Sequence, residues 1–113
     1  MSVHDRDRIG HMLDMAQKIN SLIYGLGKDE VRKDETLLMA LSYALVIIGE
    51  AAANVSDDFQ EKHDFVPWKK IIGMRNWLVH GYFKTDIDVM WDTITSDIPL
   101  LIEQLEKIKE IQP

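Results

Sequence analysis

The chain has 113 residues, 46% of them hydrophobic and 28% charged, with no cysteine and a net charge of −6. That is enough for one hydrophobic core and too little for a second, so residues 1–113 are expected to form a single domain. The absence of cysteine excludes a disulfide framework or a thiolate metal site, and the acidic balance excludes a general nucleic-acid-coating protein.

The first residues, Met-Ser-Val-His-Asp-Arg-Asp-Arg, are charged and lead into no purely apolar run. No signal peptide is expected, and a cytoplasmic location follows. The longest apolar stretch, residues 44–48, falls short of the roughly 18–20 residues of a membrane span, so no membrane partner is expected.

Residues 3–24 carry Ile9, Met12, Leu13, Ala16, Ile19, Leu22 and Ile23 at helical spacing. Gly25 and Gly27 stop that helix. Residues 28–33 are charged and read as a loop, after which Asp34 is placed to cap a second helix. That helix, with Leu37, Leu38, Leu41, Ala44, Leu45, Ile48, Ala51, Ala52 and Val55, is apolar over a wide arc and is expected to be central. Its small residues Gly49, Ala51, Ala52 and Ala53 would let a neighbour approach closely. Ser56 caps a short turn that runs to His63. Pro67 suits the first turn of a third helix, which Gly81 ends.

A last helix from about Asp86 carries Ile87, Met90, Trp91, Ile94, Ile98, Leu101, Leu105 and Ile108, and Pro99 within it should kink or divide it. Period-2 alternation is missing throughout. The expected fold is therefore all-α, an antiparallel bundle of four to five helices.

Few residues are arranged for chemistry. There is no phosphate-binding glycine loop, no His-Glu-x-x-His pair and no nucleophile elbow. The four histidines are scattered, without the Glu-x-x-His repeats of a bundle metal site, so neither metal nor cofactor is expected. Residues 66–85 hold Lys69, Lys70, Arg75 and Lys84 and no acid, a +4 strip on an otherwise acidic chain. Inside it runs Arg-Asn-Trp-Leu-Val-His-Gly-Tyr, residues 75–82. Asn76 and His80 are four apart and share a helix face. Arg75 and His80 are five apart, about 140° around an ideal helix.

The negative end of the helix macrodipole favours an imidazolium at His80, which suits general acid–base work. Arg75 supplies a permanent cation for a phosphoryl oxygen. Cleavage of RNA without metal needs a base for the 2′-hydroxyl, a cation at the phosphorane and an acid for the leaving oxygen. One chain offers one Arg/His set, and two chains about a two-fold axis would offer two. The same spacing also fits an arginine paired to a neighbouring helix with a histidine cap. Trp68, Trp77 and Trp91 fit a core better than base-stacking platforms. Met12, Met15, Met39, Met74 and Met90 read as core filler, and His4, His11 and His63 as surface residues.

The surroundings of this segment resemble the HepT-like toxins of the HEPN superfamily, whose signature is Arg-x4-His-x-Tyr. Here it stands as Arg75, His80 and Tyr82, with the polar Asn76 after the arginine. Ile48-Gly49-Glu50-Ala51, Pro67-Trp68, Ile71-Ile72-Gly73-Met74 and Asp88…Trp91…Pro99-Leu100 extend the likeness over nearly the whole chain.

The resemblance implies a helical homodimer with the signature at its interface, forming a metal-independent endoribonuclease site. Arg75 and His80 would be catalytic, with Asn76 orienting them. It also implies the toxin half of a toxin–antitoxin pair, partnered by a minimal nucleotidyltransferase that silences it by transferring AMP to Tyr82. Lys69, Lys70, Lys84 and Glu50 are expected along the cleft, Glu50 alternatively as an ion-pair partner of Arg75. The competing reading is a non-catalytic nucleotide- or partner-binding module that the nucleotidyltransferase modifies.

Overall fold

The computed structural model describes residues 2–80 and 86–111. Among these residues seven α-helices follow in order: α1 (Val3–Ile23), α2 (Lys28–Lys33), α3 (Glu35–Ala53), α4 (Asp57–Lys62), α5 (Trp68–Val79), α6 (Ile87–Asp92) and α7 (Ile98–Ile111). A π turn, Thr93–Asp97, connects the last two. No strand occurs among the described residues. Four long segments thus form a helical bundle, with α2 and α4 as short connectors.

Helix α1 starts at Ser2, whose hydroxyl accepts the Asp5 amide. It ends at Gly25, which takes φ +77°, a conformation that costs glycine little and other residues a Cβ clash. Residues 28–33, expected as a loop, are instead helix α2. The Glu30 carboxylate accepts the Gly27 amide at 3.1 Å, and Arg32 and Lys33 sit at the negative end of the helix dipole. Its single apolar residue, Val31, is fully buried, and one residue makes no period.

Helix α3 is capped by Asp34, whose carboxylate accepts the Leu37 amide at 3.0 Å. It packs most extensively against α1 on one side and α5 on the other, the central place its wide apolar arc requires. Leu41, Ala44, Leu45, Ile48 and Ala52 are buried there. Although its uninterrupted apolar run is short, the whole helix is long and apolar enough to cross a membrane, with a mean hydropathy of 1.8. In the bundle it supplies the core.

Two further expectations are corrected. His63 is buried rather than on the surface, stacked on Phe59 at 4.2 Å, with its Nδ1 3.0 Å from the Phe59 carbonyl. Met39 is 59% exposed and fills no core space, unlike the fully buried Met12 and Met90. The last helical stretch is divided next to Pro99, as expected, at the π turn that separates α6 from α7. The proline has no N–H for the carbonyl four residues back, and the preceding turn widens, with the Ile98 amide reaching Thr93 five residues back. The tryptophans do join the core. Trp68 is buried with its indole N–H on the His63 carbonyl, and Trp77 and Trp91 pack partly buried against it.

One polar tie crosses the core edge. The buried Asp5 carboxylate accepts both the amide of Ser56, at 2.9 Å, and its hydroxyl, at 2.7 Å. This fastens the start of α1 to the α3–α4 turn. Burial by itself would raise the Asp5 pKa. The Ser56 amide and hydroxyl, then Ser2 and the charge of Arg8, outweigh it and hold the carboxyl below its ordinary value.

Candidate functional site

Helix α5 carries Arg75 and Asn76 of the signature, with His80 at its C-cap. Pro67 caps it rather than entering its first turn, and Trp68 begins it. His80 closes it with φ −84°, ψ 3° and its amide on the Leu78 carbonyl. His80 therefore stands at a helix C-terminus, as its spacing before Gly81 suggests, and is exposed there. Asn76 is also exposed, one turn before it. Tyr82 and Lys84 lie outside the described residues, as does Gly81, the expected helix stop.

Arg75 turns the other way, toward α3. Its Nη1 donates to the Glu50 Oε1 at 2.8 Å. The Arg75 side chain is 25% exposed and that of Glu50 47%. The Arg75 Nε is buried and has no hydrogen-bond partner among the described residues. Of the two expectations for Glu50, the ion pair with Arg75 is the one observed. It also places Glu50 beside the signature arginine. Along the α5 axis Arg75 and His80 are separated by about 7.5 Å, at a rise of about 1.5 Å per residue.

The close approach of the two helices has a specific cause. A Cβ on Gly49 would lie 2.2 Å from the Arg75 Cβ. No side chain fits between α3 and α5 at that point. The sequence flags Gly49 only as one of several small residues, and it shows nothing of the partner, which is 26 positions away.

The basic strip is less basic in space than in sequence. Besides Arg75, Lys70 is also paired, its Nζ 3.2 Å from the Asp97 carboxylate on the π turn. Lys69 is exposed and makes no ion pair among the described residues. Behind this face lies a largely apolar cavity of about 320 Å³, walled by Ile48 of α3, Ile71 and Met74 of α5 and Leu101 of α7. Arg75, Asn76 and His80 are not among its walls. No group of three or more metal-ligating side chains is found among the described residues.

These features sit on a chain whose residues 12–108 match the family model described as ribonuclease HepT-like. The chain belongs to the HepT-like ribonuclease family. A protein of Caldanaerobacter subterraneus subsp. tengcongensis with a provisional RNase name is 38% identical over 103 residues, covering 91% of this chain and 92% of that protein. A provisionally named ribonuclease HepT of Thermococcus cleftensis is 40% identical over 77 residues, 68% of this chain and 70% of the relative. A provisional RNase of Methanocaldococcus jannaschii is 33% identical over 104 residues, covering 89% and 95%. No solved structure matches the chain. Ribonuclease activity is thus supported at the level of the HepT-like family.

Proposed function

We propose that this HepT-like protein is a metal-independent RNA endonuclease in which Arg75 and His80 carry the chemistry. The observation that supports it is the Arg75 side chain seated against Glu50 on the same helix whose C-cap is His80. In this reading a 2′-oxygen attacks the adjacent phosphorus and the bond from phosphorus to the 5′-oxygen breaks. His80 takes or returns a proton, and Arg75 stabilises the charge on the phosphorane oxygens. Asn76, on the face of His80, orients that ring or the substrate.

Glu50 does not forbid this role. An ion pair between partly exposed side chains contributes at most about 1 kcal/mol, so a phosphate can compete for the guanidinium.

One chain supplies one arginine and one histidine, whereas the reaction needs an acid and a base together. We therefore place the site at a homodimer interface. The exposed Met39 and Tyr43, one turn apart on α3 and leading toward Glu50, support that face as the contact. The toxin role and the antitoxin partner follow the same reading. A nucleotidyltransferase would transfer AMP from ATP to the Tyr82 oxygen, releasing pyrophosphate. The added phosphate would occupy the anion site.

The test is incubation of the purified protein with RNA in excess EDTA. Cleavage by wild type and at least a hundredfold loss in Arg75→Ala is the expected result. Intact Arg75 pairing without cleavage by unmodified wild type would favour the non-catalytic module instead.

A further inference from the structure

Two consecutive residues of α3 grip the two ends of one side chain. A Cβ on Gly49 would stand 2.2 Å from the Arg75 Cβ, 2.9 Å from its Cγ and 3.3 Å from its Cα. These are the root of the side chain and the backbone beneath it, not a flexible tip. They cannot swing aside unless α5 moves. One residue later, Glu50 holds the far end through Nη1. Between the two, Nε is sealed from solvent, with no acceptor among the described residues.

Packing alone does not account for an arginine here. A buried N–H with no acceptor is a standing cost that an apolar side chain in the same notch would avoid. What the arrangement does achieve is direction. With its root in the Gly49 notch, Nε enclosed and Nη1 engaged, the guanidinium is held along a fixed line. Misplacement of a reacting group by about 1 Å can cost about a hundredfold in rate.

We propose that Gly49 is a positioning residue for the RNA-cleavage reaction: the side chain it lacks is the seat that aims Arg75. The inference rests on the catalytic role proposed above for Arg75, and it has a readout that does not depend on activity. In full-length ¹⁵N-labelled protein, the Arg75 Nε–H resonance, assigned by its loss in Arg75→Lys, should exchange slowly with water. Gly49→Ala should speed that exchange at least tenfold. It should also lower single-turnover RNA cleavage by about 10- to 100-fold, with KM changed less than threefold.

Ala52→Gly, one turn along the same helix, should lower the melting temperature and leave cleavage unchanged. A folded Gly49→Ala protein that cleaves at the wild-type rate would overturn the proposal. So would a wild-type Arg75 Nε–H that exchanges as fast as an exposed arginine's, whether or not Gly49→Ala folds. Protected Nε–H in wild type, loosened by Gly49→Ala but with no RNA cleavage by either, would keep the seat and remove the ribonuclease reading.

Discussion

Arg75 and Asp5 are both charged groups withdrawn from solvent, and they behave differently. The Asp5 carboxylate is fully served by Ser56 and Ser2, which is why its pKa lies below the ordinary value despite burial. The unfolded chain binds that proton more readily than the folded one. The resulting stabilisation is present above the ordinary carboxylate pKa of about 3.9 and is lost as pH falls through the lowered folded value. Asp5→Asn should therefore cost about 1–3 kcal/mol at neutral pH and flatten the acid limb below about pH 4, read by urea unfolding at a series of pH values.

Arg75 keeps its Nε buried without a partner among the described residues. Among the lysines, Lys69 is unpaired among the described residues and Lys70 is neutralised by Asp97. Lys69→Gln should reduce the salt slope of single-stranded RNA binding by about 0.7, and Lys70→Gln by clearly less. Binding isotherms between low and moderate salt would decide this. The signature residues were legible in the sequence by type and spacing. Their partners were not, because Glu50 lies 25 positions from Arg75 and Asp97 lies 27 from Lys70, and only the fold brings them together.

At the scale of elements, every long helix announced itself through apolar period and caps. Ser2, Asp34, Ser56 and Asp86 each accept an amide three residues on, as their side chains allow. What the pattern hid were elements whose stability is not written in period. Helix α2 buries one valine and relies on its caps and on the Lys28–Asp88 ion pair. His63 gave no sign of burial because its partner is an aromatic ring one turn earlier, Phe59, in a six-residue helix. The proline of the last helix does mark a break, whose form the pattern did not show. It is a widened turn, with Thr93 and Thr95 hydroxyls bonded back to the Val89 and Trp91 carbonyls.

The α3 core sets the energetic scale. Ile48→Ala, at a position only 2% exposed, should destabilise by about 2–5 kcal/mol in denaturant unfolding and disturb the wall behind Gly49.

The whole molecule is acidic, which makes a small paired cationic face more selective for close phosphates than for long-range capture of nucleic acid. A single copy also separates its arginine and histidine by more than a turn of α5, which is the physical reason for expecting a second copy. Tyr43→Glu, on the exposed face of α3, should shift the protein toward monomer in sedimentation velocity and lower RNA cleavage with it, while helix content stays unchanged. Dimer mass and activity both unaffected would move the interface elsewhere.

The central claim is that His80 at the end of α5 performs proton transfer in RNA cleavage. The most direct measurement is single-turnover cleavage of one RNA oligonucleotide in excess EDTA by wild type and His80→Ala, with melting curves run in parallel. Wild type is expected to cleave to a 2′,3′-cyclic phosphate and a 5′-hydroxyl. The rate should be at least a hundredfold lower in the variant, with both proteins folded at the assay temperature. Equal rates in the two folded proteins would contradict the claim.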